Sequence, residues 1–202
     1  MSSILGVYTL SSAQSPTRAR ILEAALALVR NGVAGVNMVQ IAKAAGVSRQ
    51  ALYLHFSDRA DLYVAMVRHV DEQRGLAAAL EALELAPTGK SALSEAVAMQ
   101  ARMNPHLYPV AASIDALRRQ DPALQRAWDD RLENRLSGAR AIANRLEREE
   151  VLRPELDVDF AADLIWSLLS LRMWEDLVIV RGWSADRYCV HLDGLLARSL
   201  YR

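Results

Sequence analysis

An all-α fold is what this sequence predicts, and three observations carry the expectation. Glycine and proline are few, nine and six in 202 residues, and β-branched runs are short, which leaves little for a turn-rich sheet to build on. Apolar residues recur at the three- and four-residue spacing of a helix face through most of the chain. Helix-start signals repeat as well: Ser15-Pro16, Asn37, Ser48, Ser57-Asp58, Ser91, Asn104-Pro105 and Asp121-Pro122 each set a capping side chain or an early proline before helix formers. Together they predict about nine helices.

The first helix runs from Ser15-Pro16 to about Arg30 and stops at Asn31-Gly32, with Ile21, Leu22, Ala25, Leu28 and Val29 as its buried stripe. Arg18 and Arg20 near its start suit either backbone phosphate or plain surface. A second helix spans about Met38 to Ala45, capped by Asn37. Met38, Ile41 and Ala45, and Val39 with Ala42, have the spacing of a face laid on a core. Gly46 can take the left-handed conformation that ends a helix, Val47 plugs the core, and Ser48 caps a third helix reaching about Phe56.

Two short helices joined by a tight glycine turn make a helix-turn-helix, whose second helix enters the DNA major groove. In that second helix Leu52 and Phe56 face inward, leaving Arg49, Gln50, Tyr53 and His55 on or near the outer side. Arg can pair with guanine O6 and N7, and Gln with adenine N6 and N7, whereas Tyr and His suit phosphate oxygens. Charge agrees with this placement. Residues 1–70 hold seven Lys/Arg against three Asp/Glu, a net of +4, and residues 71–202 hold seventeen against twenty-one, a net of −4.

The stretch IAKAAGVSRQALYLHFSDRADLY, with Thr17 to Ala25 upstream, resembles the DNA-binding domain of TetR-family transcriptional regulators. The matching pieces are Ile41-Ala42, Ala45-Gly46-Val47-Ser48, Leu52-Tyr53, His55-Phe56, Arg59 and Asp61-Leu62; the likeness is specific over about Thr17 to Val67. It implies a homodimeric, usually repressing regulator of double-stranded DNA operators, released by a small ligand held in the C-terminal domain. It also implies that Arg59 approaches phosphate. Asn37 stands where the family most often has Thr, and Gln50 where a small residue is common, so the family gives no guide to this operator's sequence.

This reading divides the chain into a disordered arm (1–14), a helix-turn-helix domain (15–62) and a helical ligand-binding and dimerisation domain (63–202). A long fourth helix is expected from Ser57-Asp58 to about Ala86, ended by Pro87-Thr88-Gly89. Asn104-Pro105 reads as a helix break. The helix from Asp121 places Leu124, Trp128, Leu132, Leu136 and Ile142 inward and ends at Arg153-Pro154. An eighth helix, Asp159 to about Val180, is apolar on most of its circumference, and a last one runs from Ala185 to Tyr201.

A helix apolar all round needs partners on several sides. Leu164, Leu168, Leu171, Trp174, Leu192 and Leu196 are the candidate dimer contacts, set against the reading that the eighth helix centres a monomer core. Candidate ligand residues are Met99, Met103, His106, Tyr108, Trp128 and Trp166, grouped around the expected break at Asn104-Pro105 and suited to a small apolar or aromatic effector. Ordinary core packing is the alternative for each.

Other classes find no support. The four histidines show no ligand-type pairing, the single Cys189 forms no internal disulfide, and nucleotide-binding and nucleophile motifs are absent, so no enzyme, metal or other cofactor is expected. Leu164 to Val180 is interrupted by Arg172, Glu175 and Asp176 and is not a membrane span. Met1 to Gln14 lacks the basic start of a secretory signal, and the chain is read as cytoplasmic. The rival function is a helical ligand-binding or protein-interaction module without sequence-specific DNA binding.

Overall fold

The computed structural model describes residues 15–32 and 36–202; the expectation of a disordered arm over residues 1–14 lies outside the described residues. The described residues form α1 (Pro16–Arg30), α2 (Met38–Ala44), α3 (Arg49–His55), α4 (Arg59–Gln73), α5 (Leu76–Leu85), α6 (Gly89–Arg118), α7 (Pro122–Arg148), α8 (Val158–Leu168) and α9 (Leu171–Trp174). A π-helical segment (Glu175–Val180) and α10 (Ala185–Leu200) follow. Among the described residues the one extended pairing is an isolated bridge between Leu152 and Tyr201. No helix among them is long and apolar enough to cross a membrane.

Two compact units divide the chain. Of the described residues, one gathers those up to Arg74 with His106–Asp130; the other gathers Gly75–Pro105 with Arg131–Arg202. In the first, Ile21, Leu22, Ala25 and Leu26 of α1 pack with Ile41 and Ala42 of α2, Leu52 and Phe56 of the α3 segment, and Leu62, Tyr63 and Met66 of α4. Leu107, Val110, Ile114 and Leu124 close the same core. Burying each such side chain contributes about 1.5–3 kcal/mol. One expected core residue is misplaced: Val39 is half exposed, because a seven-residue helix buries a single narrow stripe and Met38, Ile41 and Ala42 fill it.

The expected long fourth helix is two helices. Gly75 takes φ +68°, a left-handed conformation that α4 cannot continue through, and α5 starts afresh behind it. The expected break at Asn104-Pro105 does not occur, since α6 runs unbroken through both Pro105 and Pro109. An interior proline costs a helix about 3 kcal/mol. Here the apolar residues Met103, Leu107, Val110 and Ile114 are buried on either side of the prolines and offset that cost. The start of α6 is also two residues earlier than expected: Thr88 and Ser91 cap each other reciprocally, backbone N–H to side-chain oxygen, at 2.9 and 3.1 Å.

Nor is Asp159 to Val180 one helix. Ser170 turns its hydroxyl onto the Met173 N–H at 3.1 Å and caps a new start. Arg135 of α7 donates to the carbonyls of Trp166 and Leu169 at 2.8 and 3.0 Å, consuming acceptors that a continuous helix would have used. Burial, with the neighbouring Arg131 charge adding to it, pushes Arg135 down to about 10, still a cation at neutral pH. α7 itself ends at Arg148 rather than at Arg153-Pro154, because Glu150 adopts φ +54° and the Val151 N–H returns to the Leu146 carbonyl at 2.9 Å. Behind that turn, Arg153 donates to the carbonyls of Arg198 and Tyr201 at 2.7 and 3.0 Å, tying the chain's end to the α7–α8 connection.

Candidate nucleic-acid interface

The helix-turn-helix is assembled by local hydrogen bonds that its residue types dictate. Asn37 Oδ1 accepts from the Gln40 N–H at 3.0 Å while Gln40 Oε1 accepts from the Asn37 N–H at 3.0 Å, a reciprocal cap at the start of α2. Gly46 sits at φ +62°, and the Val47 N–H returns to the Ala42 carbonyl at 3.0 Å. Ser48 Oγ then accepts from the Ala51 N–H at 3.0 Å and starts α3. Both caps expected within the helix-turn-helix form. Removing the Gly46 conformation would misdirect α3, since a side chain at that φ is strained.

Orientation of α3 follows from its two anchors. Leu52 and Phe56 are fully buried, so the opposite side of the helix faces solvent. At about 100° per residue, Gln50 and Leu54 lie about 160° and 200° around from Leu52, straddling the outermost line of α3. Tyr53 lies about 100° around from Leu52, on the flank, and Arg49 about 60°, exposed as the first residue of the helix. Arg49 and Gln50 are exposed and Tyr53 is 47% exposed, as the sequence predicts. Leu54 is 81% exposed, and sequence reasoning that looked only for hydrogen-bonding side chains passed over it. Its position four residues after Gln50 was the available signal.

The carboxyl end of α3 is held by α1. Arg18 Nη1 donates to the His55 carbonyl at 2.8 Å, and its guanidinium lies 4.3 Å from the centroid of the Phe56 ring. Of the two readings left open for Arg18, phosphate contact and plain surface charge, the geometry favours neither: it is a strut. Arg20 is exposed. His55 is half-buried, less outward than expected.

Arg59, which the family resemblance places near phosphate, has a carboxylate beside it within the chain. Its Nη2 lies 3.3 Å from Asp121 Oδ2. The other oxygen of Asp121 accepts from the Ala123 and Leu124 N–H groups at 3.1 and 3.3 Å, capping α7. Burial pushes the Asp121 carboxyl up, but these N–H groups and the Arg59 charge outweigh it and hold it below the usual carboxylate range.

The six candidate ligand residues are divided between the units. Met99, Met103 and Trp166 belong to one, and His106, Tyr108 and Trp128 to the other. The interrupted helix that was expected to group them is absent. Met103 is buried, and the other five are half-buried. Trp166 Nε1 donates to the Leu132 carbonyl at 3.3 Å, and the Arg118 guanidinium lies 5.2 Å from the Trp128 ring. Burial, then the charges of Arg74 and Arg30, lower the His106 pKa and favour its neutral form.

Three of the six expected dimer contacts are used inside the chain. Trp174, Leu192 and Leu196 are buried in its own unit, where Trp174 meets Tyr188 edge-on at 5.0 Å, so they cannot also face a second copy. Leu164, Leu168 and Leu171 are half-buried. The apolar side chains left exposed in this region are Phe160, Ile179, Val180, Val190 and Leu195. Among the described residues, no group of three or more His, Cys, Asp or Glu side chains could hold a metal ion.

Comparison with known proteins gives a consistent answer. Residues 21–66 match the family described as bacterial regulatory proteins, tetR family. The transcriptional repressor LfrR of Mycolicibacterium smegmatis is 30% identical over 162 residues, 79% of this chain and 78% of LfrR. The transcriptional regulator AcrR of Shigella flexneri is 50% identical over 48 residues, which span 23% of this chain and 22% of AcrR. In three dimensions, NalD, the secondary repressor of the MexAB-OprM multidrug efflux pump in Pseudomonas aeruginosa, has the same fold, with 24% identity, 92% of this chain and 96% of NalD covered, and a TM-score of 0.71. The helix-turn-helix geometry and the likeness to LfrR over about four-fifths of both chains together establish that this chain belongs to the TetR family of DNA-binding transcriptional regulators, which are not enzymes.

Proposed function

We propose that the chain is a ligand-released repressor that binds a palindromic operator as a homodimer. The observation that carries this reading is the exposed side of α3, where Arg49, Gln50 and Tyr53 stand open to solvent on a helix seated by Leu52 and Phe56. Arg49 and Gln50 are the base readers, and Tyr53 positions the helix on phosphate. Asn37 offers phosphate only its amide N–H groups, since its oxygen is taken by the Gln40 N–H.

Exposed Ile179, Val180, Val190 and Leu195 support dimerisation, because apolar side chains gathered on the π segment and α10 gain by being covered. A two-fold pair would set its recognition helices about 34–36 Å apart, one turn of DNA, and read an inverted repeat. LfrR and NalD are repressors, and this chain takes the same role under the proposal. Release follows from linkage: an effector that binds better to a dimer with another helix spacing weakens DNA binding by the same coupling, typically about 1–3 kcal/mol. A small apolar or aromatic molecule suits the methionine and aromatic content of 99–108.

Selection of binders from a random duplex DNA pool at near-physiological salt tests the reading. Enrichment of an inverted repeat is expected. A pool that yields no motif with a purified dimer would refute it.

A further inference from the structure

Leu54 is the most exposed large apolar side chain among the described residues, at 81%, and it stands beside Gln50 on the outermost line of α3. We infer that Leu54 is a specificity-determining residue that reads the C5-methyl group of a thymine in each half-site. The inference rests on the proposed reading of α3 as the helix that enters the major groove.

A leucine cannot donate or accept a hydrogen bond, so it takes no part in phosphate positioning or in the donor and acceptor pattern of the base edges. The apolar feature that a major groove presents is the thymine methyl, and apolar side chains meet it there. Alanine at this position would keep the helix at least as well, since its helix propensity is higher. Leucine therefore serves something outside the chain. Its neighbours identify the partner: Arg49 and Gln50 share the same two-turn helix and carry the donor sets suited to guanine and adenine.

Register sharpens the inference. Gln50 and Leu54 are separated by about 6 Å of helix rise, close to two base-pair steps of about 3.4 Å. With α3 lying along the groove, the thymine sits within three base pairs of the position that Gln50 reads.

Deoxyuridine scanning gives the test. In the duplex that the wild-type protein selects, each thymine is replaced singly by deoxyuridine, which removes the methyl and leaves pairing and hydrogen-bonding groups intact. Affinity is measured at fixed salt for the wild type and for Leu54→Ala and Leu54→Met, each first shown to unfold at the wild-type temperature. One thymine per half-site, within three base pairs of the position relaxed by Gln50→Ala, should lose about three- to fivefold in wild-type affinity, the worth of one buried methyl. Leu54→Ala should bind more weakly and be indifferent to that replacement, while Leu54→Met should keep the sensitivity. A scan in which every replacement costs less than twofold, or an undiminished loss in Leu54→Ala, would overturn the inference alone. So would a Leu54→Ala protein altered in oligomeric state with unchanged base preference, which would make Leu54 a protein contact. A pool that enriches no motif would overturn it together with the proposed function.

Discussion

Arg18, near the start of α1, donates to the carbonyl of His55, the last residue of α3, at 2.8 Å, and stacks its guanidinium over the neighbouring Phe56. The cation meets the negative end of the α3 dipole. Seven residues are too few for a helix to persist on propensity alone, so α3 holds its attitude through its anchors.

Replacing Arg18 by Ala should therefore cost about 1.5–3 kcal/mol of stability, the range for a hydrogen bond to a charged group. Arg18→Lys should recover only part of it, since an ammonium cannot both donate and stack as a planar guanidinium does. Denaturant unfolding of the two variants decides this. Equal stability of Arg18→Ala and wild type would show that Leu52 and Phe56 hold α3 unaided.

The Arg59–Asp121 pair makes a separate prediction for DNA binding. Asp121→Asn keeps an oxygen to cap α7 and removes the negative charge, leaving Arg59 free for phosphate. Affinity for all sequences should rise alike, and the salt slope should steepen by up to about one unit. Arg59→Ala should then change the slope more in the Asp121→Asn background than in the wild type. Salt titrations of the four proteins on one duplex check the cycle.

Dimerisation is tested at the exposed apolar side chains of the π-helical segment and α10. Ile179 and Val190 are 53% and 69% exposed, so the pair Ile179→Glu/Val190→Glu leaves the chain's own core intact. Sedimentation equilibrium should show a folded monomer. Persistence of the wild-type dimer would move its interface elsewhere.

Acid sensitivity has a local source at Glu23. The hydrogen bond from His69 Nε2, at 2.7 Å, is the largest influence and lowers the Glu23 pKa; burial opposes it, and Gln73 adds to the lowering. A carboxylate depressed in the folded state contributes stability above its unfolded pKa, about 4.3, and loses it as pH falls through the lower folded value. Glu23 is half exposed, so screening keeps the effect to a fraction of a kcal/mol. Glu23→Gln should flatten the stability profile below about pH 4.5, as followed by thermal unfolding against pH.

Glu150 is the one non-glycine residue with positive φ among the described residues, at +54°. Glu150→Gly relieves the left-handed strain at the end of α7 and should raise stability by about 0.5–1 kcal/mol. A fall in the thermal midpoint would mean that the gain in unfolded-state freedom outweighs the relief.

Local chemistry made much of the molecule legible in the sequence alone. The caps at Ser15, Asn37 and Ser48, the turn at Gly46 and the inward pair Leu52 and Phe56 all act within a few residues of themselves, so the helix-turn-helix could be read as a motif. What failed to be legible depends on distant partners. Gly75 splits the expected fourth helix, and nothing local separates a tolerated helix glycine from one that turns left-handed. Asn104-Pro105 signals a break, yet buried neighbours on both sides carry α6 through. The division at Leu169-Ser170 needs Arg135, thirty-four residues away, to take the Leu169 carbonyl.

Charges show the same division most plainly. The sequence by itself determined that the N-terminal third is basic and that α3 carries Arg49 and Gln50 outward, because helical period and residue type suffice for both. Only the tertiary structure decided which arginines are free. Arg18 donates to a backbone carbonyl and Arg59 to a carboxylate sixty-two residues away, and partners so distant in sequence are set by the fold alone.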